Sequence, residues 1–408
     1  MKPLHYYFVG TGSWFLVWGI QSVVFAWLVT IILDETPEKV GFAQMALLLP
    51  SMLFMLLGGS LADQFGGRRL AITGHLFAAV APLFLTVVVI ADALTYGTII
   101  IFAVIMGIAQ AMITPARDGL LPHLAEGAIQ RRVIQASMIQ FGIQMVGFAT
   151  ASQADRFGAP VILMIQCGVL LLGSAAYFKL QVPFTSPKRP DPSDGPVPGI
   201  MGQVRDSILV GFRSVKRSPY MRMVVFQNCA MGIFFMGSYM VTLPLVVRDV
   251  YAGTSMQLAW LNIGNSLGLV ITTMVLLRLG DVYRQGRALL IAQGVGSFAL
   301  AGAGLGLGFP SLVVFIFFWG MCGGVAMTMA PNHHAGAIAT GPARPNDGFL
   351  LIFLHGIRSD WRPALGLPAR LARTHRGTAA PSICMVTVVI VVSLASSLWS
   401  LDGKPRPE

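Results

Sequence analysis

The chain has 408 residues, 55% of them hydrophobic and only 11% charged, with mean hydropathy +0.71 and a formal net charge of +11. A soluble domain carries roughly a quarter charged residues, so this composition excludes an ordinary water-soluble enzyme. Its basic residues are scattered through short gaps between apolar runs, which excludes nucleic acid as the partner and makes the lipid bilayer the solvent.

A membrane span needs about 20 apolar residues. Six such runs come first, at 8–32, 41–62, 70–91, 96–114, 133–154 and 161–178. The first is long enough to remain as a span, so no cleavable leader is expected. A hydrophilic stretch, 181–222, follows. Its first part, rich in Pro, Asp, Ser and Lys, reads as a flexible tether. Its second part sets Ile208, Leu209, Phe212 and Val215 on one face, with Arg205, Arg213, Lys216 and Arg217 mostly on the other. That pattern predicts an amphipathic helix on the inner leaflet, or a solvated linker helix. Four more apolar runs occupy 223–243, 256–277, 288–308 and 311–329, and a last one 383–398. Eleven spans are legible. Cys167, Cys229, Cys322 and Cys384 all fall in apolar runs and read as small buried side chains, neither disulfides nor metal ligands.

Orientation follows from the gaps. With the N-terminus in the cytoplasm, the inner gaps before Pro331 hold seventeen Lys and Arg residues and the outer gaps three. Basic loops stay cytoplasmic, so this orientation is selected. One missed span would invert every later gap.

The gap between the second and third runs carries Gly58-Gly59-Ser60-Leu61-Ala62-Asp63-Gln64-Phe65-Gly66-Gly67-Arg68-Arg69. It resembles the signature of the major facilitator superfamily at Gly59, Asp63, Gly66 and Arg68. It departs at Gln64 and Gly67, and Arg69 compensates for one missing charge. A weaker echo with Asp281, Arg284 and Arg287 occupies the matching gap of the second half, as a duplicated six-span unit predicts. The resemblance implies an all-α integral membrane fold of two six-helix halves, with twelve spans expected. It divides the chain into an N-terminal half (1–180), the tether (181–222), four spans (223–329), an anomalous segment (330–382) and a last span with its tail (383–408). Trp27-Leu28-Val29, Leu48-Leu49-Pro50, Leu121-Pro122-His123-Leu124 and Leu243-Pro244 are similar to the branch of enterobactin exporters and macrolide efflux proteins.

What the resemblance implies is secondary transport by alternating access, a small-molecule substrate, no cofactor, no metal and a monomer in the bacterial inner membrane. Asp63, with Gly59, Gly66, Arg68 and Arg69, is expected to hold the cytoplasmic gate; a solvated loop carboxylate is the plainer reading of Asp63. A cavity at the bilayer midplane is expected to draw on polar groups inside the spans: Trp18, Gln21, Gln140, Gln144, Asn228, Asn262 and Asn265. The alternatives are an interfacial anchor for tryptophan and a helix-gluing amide for the others. No phosphate-cradling Gly-x-x-x-x-Gly-Lys-Ser/Thr loop occurs, which argues against an ATP-driven pump. No Asp or Glu lies deep in a span. Proton antiport is therefore implied only by the resemblance, with His75 and the outer-end carboxylates Asp34, Asp155 and Asp249 as the available groups and helix packing as the alternative for His75.

After Met329 the pattern breaks. Proline and arginine interrupt every apolar stretch of 331–381, where the fold needs a loop and an eleventh helix. A reading-frame slip near 329–331, restored near 382, fits the length; a cytoplasmic insertion is the alternative. Two other readings of the chain stay open: a non-transporting or inactivated membrane protein, and an integral-membrane transferase. The transferase lacks the acidic, His or Lys cluster it needs outside the anomalous segment.

Overall fold

The computed structural model describes residues 3–124, 129–181, 232–279 and 285–329. Everything described is helix or short turn, with no strand among the described residues. The tether, the anomalous segment, the last span, Asn228, Asp281 and Arg284 lie outside the described residues. The chain divides into two units, Met1–Val210 and Gly211–Glu408.

The first unit contains α1 (Pro3–Trp27), α2 (Pro37–Phe65), α3 (Gly67–Ile90), α4 (Tyr96–Leu124), α5 (Ile129–Ala151) and α6 (Ala159–Lys179). The second contains α7 (Leu243–Asp249), α8 (Ser255–Leu279), α9 (Gln285–Ala303) and α10 (Phe309–Met329). Among the described residues, seven helices are long and apolar enough to cross a membrane. Many large apolar side chains face outward, among them Leu53, Val87, Leu172 and Phe298, as lipid in place of water permits.

Lipid supplies no hydrogen bonds, so each helix satisfies its own backbone and helices associate through close packing. Small residues set the pairings. α2 packs on α4 where Gly58 lies against the Ala111 carbonyl and Gly107 against the Leu47 carbonyl. Pro115, four residues after Ala111, has no N–H and so leaves that carbonyl without its helical donor. α2 therefore meets α4 at a carbonyl that the helix itself cannot use. α1 packs on α5 in the same manner, with Gly19 against the Gln144 carbonyl and Gly147 against that of Leu16. In the second unit, Gly268 lies against the Phe317 carbonyl and Gly320 against that of Asn265, joining α8 to α10.

Two helices differ from the sequence reading. α4 continues past residue 114 to Leu124, through Pro115 and Pro122. Arg117, counted above as a loop charge, is thereby inside a helix, its side chain only 11% exposed. The described part of the seventh span holds two wide π-helical turns, Gly232–Met236 and Ser238–Thr242, ahead of Pro244. A similar turn, Leu28–Ile32, ends α1, where the Thr30 hydroxyl donates to the Ala26 carbonyl at 2.7 Å. π-turns recur where a helix is adapted for function.

Gly58→Ala is expected to cost about 1–3 kcal/mol, the usual range for overpacking a tight contact. Gly59→Ala is expected to be neutral or slightly stabilising, because nothing lies within 4 Å of a Cβ there. Unfolding of the detergent-solubilised protein, followed by circular dichroism, measures both.

Candidate functional site

The signature stretch closes one end of the first unit. Gly66 ends α2 and opens α3 with φ 87°, a left-handed backbone that glycine adopts without strain. Its N–H donates to the Ala62 carbonyl at 2.9 Å and its carbonyl accepts from Leu70. Gly67 sits close against the Ala116 carbonyl and Leu120 of α4. Arg68 reaches across to the last turn of α6: Nε donates to the Tyr177 carbonyl at 3.1 Å and Nη2 to that of Phe178. A cation on the C-terminal carbonyls of a helix satisfies both the open acceptors and the helix dipole. Arg69 and Asp63 are exposed, and no described residue forms an ion pair with Asp63. The glycine that makes the tight contact is Gly58, one residue before the matching family position at Gly59.

A buried polar cluster joins α1, α3 and α6 further in. His75 is fully buried. Its Nδ1 hydrogen bonds to the Ala71 carbonyl at 2.8 Å, and Nε2 lies 3.5 Å from Ser13 Oγ, which itself donates to the Gly10 carbonyl. Its ring packs against Tyr177 and Trp14, with centroids 5.3 and 5.9 Å away. Tyr177 Oη lies 3.4 Å from Thr11 Oγ1. Nearby, the Arg117 guanidinium stacks 4.7 Å over the Phe15 ring and pairs with its neighbour Asp118 at 2.8 Å. A charge in this environment is tolerated because it is paired and lies on an aromatic face. The Arg117–Phe15 contact is not legible in the sequence, because Arg117 lies beyond the apolar run 96–114 and only the continuing helix brings it over Phe15.

The remaining candidates separate by unit. In the first, Trp18 and Gln140 are half-buried, and Gln21 on α1 and Gln144 on α5 are buried. Asp155 accepts a hydrogen bond from Trp27 Nε1 at 3.0 Å, tying the end of α1 to the turn before α6. Asp34 is exposed in a left-handed turn, φ 47°. In the second unit Asn262 and Asn265 are half-buried on α8. Asn262 accepts from Tyr239 Oη at 2.6 Å and donates to the Leu258 carbonyl at 2.7 Å. Tyr239 and Phe235 each lie 5.6 Å from Trp319 of α10. This aromatic group beside an amide was not picked out from the sequence, although Phe235 and Tyr239 are spaced one helical turn apart. Arg287 is half-buried at the start of α9.

The chain matches the Major Facilitator Superfamily family model over residues 7–340 and belongs to that superfamily. A search of curated proteins returns no match. Solved structures with the same fold include a mutant of the nucleoside transporter NupG (TM-score 0.71, 12% identity, covering 96% of this chain and 99% of that one). A proton-dependent oligopeptide transporter (0.71, 13%, 97% and 98%) and the inward-open xylose transporter XylE from E. coli (0.67, 12%, 99% and 98%) share it too. The chain is thus a multi-pass membrane protein with the major facilitator fold.

Arg68→Ala is expected to destabilise the fold by about 1.5–3 kcal/mol, the range for hydrogen bonds to a charged group. Arg69→Ala, at an exposed position, should change stability by less than about 0.5 kcal/mol. Thermal unfolding in detergent compares the two directly.

Proposed function

We propose that the chain is a secondary active exporter of a small amphipathic molecule, siderophore-like or drug-like, working by alternating access in the bacterial inner membrane. The observation that carries this reading is the signature end of the first unit. Gly58 and Gly67 fix α2 and α3 on α4, Arg68 fixes α3 on α6, and Asp63 is left exposed. Four helices move together there, while one carboxylate remains available to make and break a gating contact. In this reading the signature faces the cytoplasm, as does the N-terminus, and two six-span halves joined by the tether 181–222 rock about the substrate. The echo at Asp281, Arg284 and Arg287 serves the second half.

The substrate class is supported by side-chain chemistry. Phe235, Tyr239 and Trp319 cluster beside Asn262, and Trp18, Gln140 and Gln144 offer a comparable mixture in the first unit, whereas Gln21 points to the sealed side of α1. Aromatic faces next to a few amides suit a large, partly apolar ligand. His75, sealed between three helices with its ring packed on both sides, fits a packing role better than a proton carrier. Asp155, held by Trp27, and Asp34, exposed in its turn, are the carboxylates left for proton coupling. Export and the siderophore or macrolide class rest on the branch resemblance, and a monomer is the working unit proposed.

The break in pattern over 330–382 favours one second reading, an inactivated copy. Expression of the chain, and of a frame-restored version, in an efflux-deficient host separates the two. An exporter lowers accumulation of a siderophore or macrolide, an uncoupler abolishes the effect, and Asp63→Asn reduces it at least tenfold while the protein level holds. If neither version lowers accumulation of any tested compound, the exporter reading fails. Efflux that survives the uncoupler removes the proton-coupling claim.

A further inference from the structure

Two buried amides of the first unit lack hydrogen-bond partners among the described residues: Oε1 of Gln21, and both Oε1 and Nε2 of Gln166. Gln166 is 0% exposed and Gln21 5%. An amide left unpaired in a water-free interior costs free energy of the order of a lost hydrogen bond or more. Three orphaned atoms in one helical unit therefore need an explanation.

Helix register places them together. Ser13 on α1, His75 on α3 and Gly173 on α6 meet at one corner, since a Cβ on Gly173 would overlap Ser13 Oγ and lie 2.7 Å from the His75 ring. α6 runs antiparallel to α1 and α3: Gly10 meets the Tyr177 ring, and Arg68 reaches the Tyr177 and Phe178 carbonyls. At 3.6 residues per turn, about two turns from that corner bring Gln21, Pro82 and Gln166 to a common level. The steps between follow the same helix faces through Val17, Ala78 and Leu170, each 0% exposed. Pro82 is buried inside α3. Lacking an N–H, it leaves the carbonyl of Ala78 without its helical donor.

We propose that α1, α3 and α6 enclose a binding site for one ordered water, held by the amides of Gln21 and Gln166 and by the carbonyl that Pro82 frees. The group supplies three acceptors (Gln21 Oε1, Gln166 Oε1 and the Ala78 carbonyl) and, from Gln166 Nε2, two N–H donors. A water that donates to Gln21 Oε1 and to the Ala78 carbonyl and accepts from Gln166 Nε2 touches all three groups, and Gln166 Oε1 is the acceptor it leaves over. A bare cation would meet the Gln166 N–H and find no carboxylate, unlike the oxygen cages that hold such ions.

The full chain in lipid nanodiscs tests the site through the melting temperatures of Gln21→Leu, Gln166→Leu and the double variant. With a shared water, each single change strands the other amide and lowers Tm by a few degrees, whereas the double variant recovers most of the loss. If each single change instead raises Tm and the two shifts add, the amides are independent and the proposal is overturned. A sodium- or potassium-dependent rise in Tm that Gln166→Leu abolishes would assign the site to a cation and overturn it equally. Should the variants fail to fold, a cryo-EM map of the wild-type chain at water-resolving detail decides. A peak within hydrogen-bonding distance of both amides supports the site, and a direct Gln21–Gln166 contact or an unoccupied gap refutes it.

Discussion

Helices immersed in lipid gain nothing from hiding apolar surface from water, so their association depends on how closely backbones approach. In this chain the approach is made by glycine against a carbonyl of the neighbouring helix. The contact is reciprocal in three pairs: Gly58 and Gly107 between α2 and α4, Gly19 and Gly147 between α1 and α5, Gly268 and Gly320 between α8 and α10. A methyl group at any of these positions would collide with backbone, which cannot move as a side-chain tip can. α2–α4 in the first unit and α8–α10 in the second thus use one solution twice, the structural counterpart of the repeated signature in the sequence.

The prolines belong to the same system. Pro115 takes a donor away from the Ala111 carbonyl, and Gly58 lies against that atom. A glycine Cα–H beside an under-used carbonyl gives a weak but favourable contact. Pro82 removes a donor from the Ala78 carbonyl, at the level where helix register brings α1 and α6 past α3. In both places a broken helical bond marks where one helix meets another, so proline here positions contacts more than it bends helices. The Arg68 guanidinium completes the scheme at the signature end by covering the open carbonyls of α6.

Much of this was readable from the chain alone. The apolar runs placed the long described helices, because a charge at mid-span is too costly to hide; α7 lies almost wholly beyond the end of its run, and α4 outlasts its own. Gly66 and Arg68 were found through the signature, and each has a definite mechanical place. Other features were not legible. Arg117 counts as a gap charge in the sequence, beyond the apolar run that ends at residue 114; helix continuation and a stacking partner in Phe15 are tertiary facts. Gly58 was passed over for Gly59, because no linear pattern tells which of two adjacent glycines faces a neighbour. The Phe235, Tyr239 and Trp319 group joins residues some eighty positions apart, and apolar composition hides an aromatic cluster among so many other apolar residues.

The central claim is that each half behaves as a welded body, so any functional movement takes place between halves. Pulsed electron–electron resonance on spin labels measures this most directly, in a background where the four native cysteines are replaced. A pair at exposed positions 65 and 179 reports on the first unit alone, and a pair at 65 and 278 spans the two units. The account predicts one narrow distance distribution for the first pair under every condition, including those that split or shift the distribution of the second. A change at 65–179 as large as that at 65–278 would contradict it.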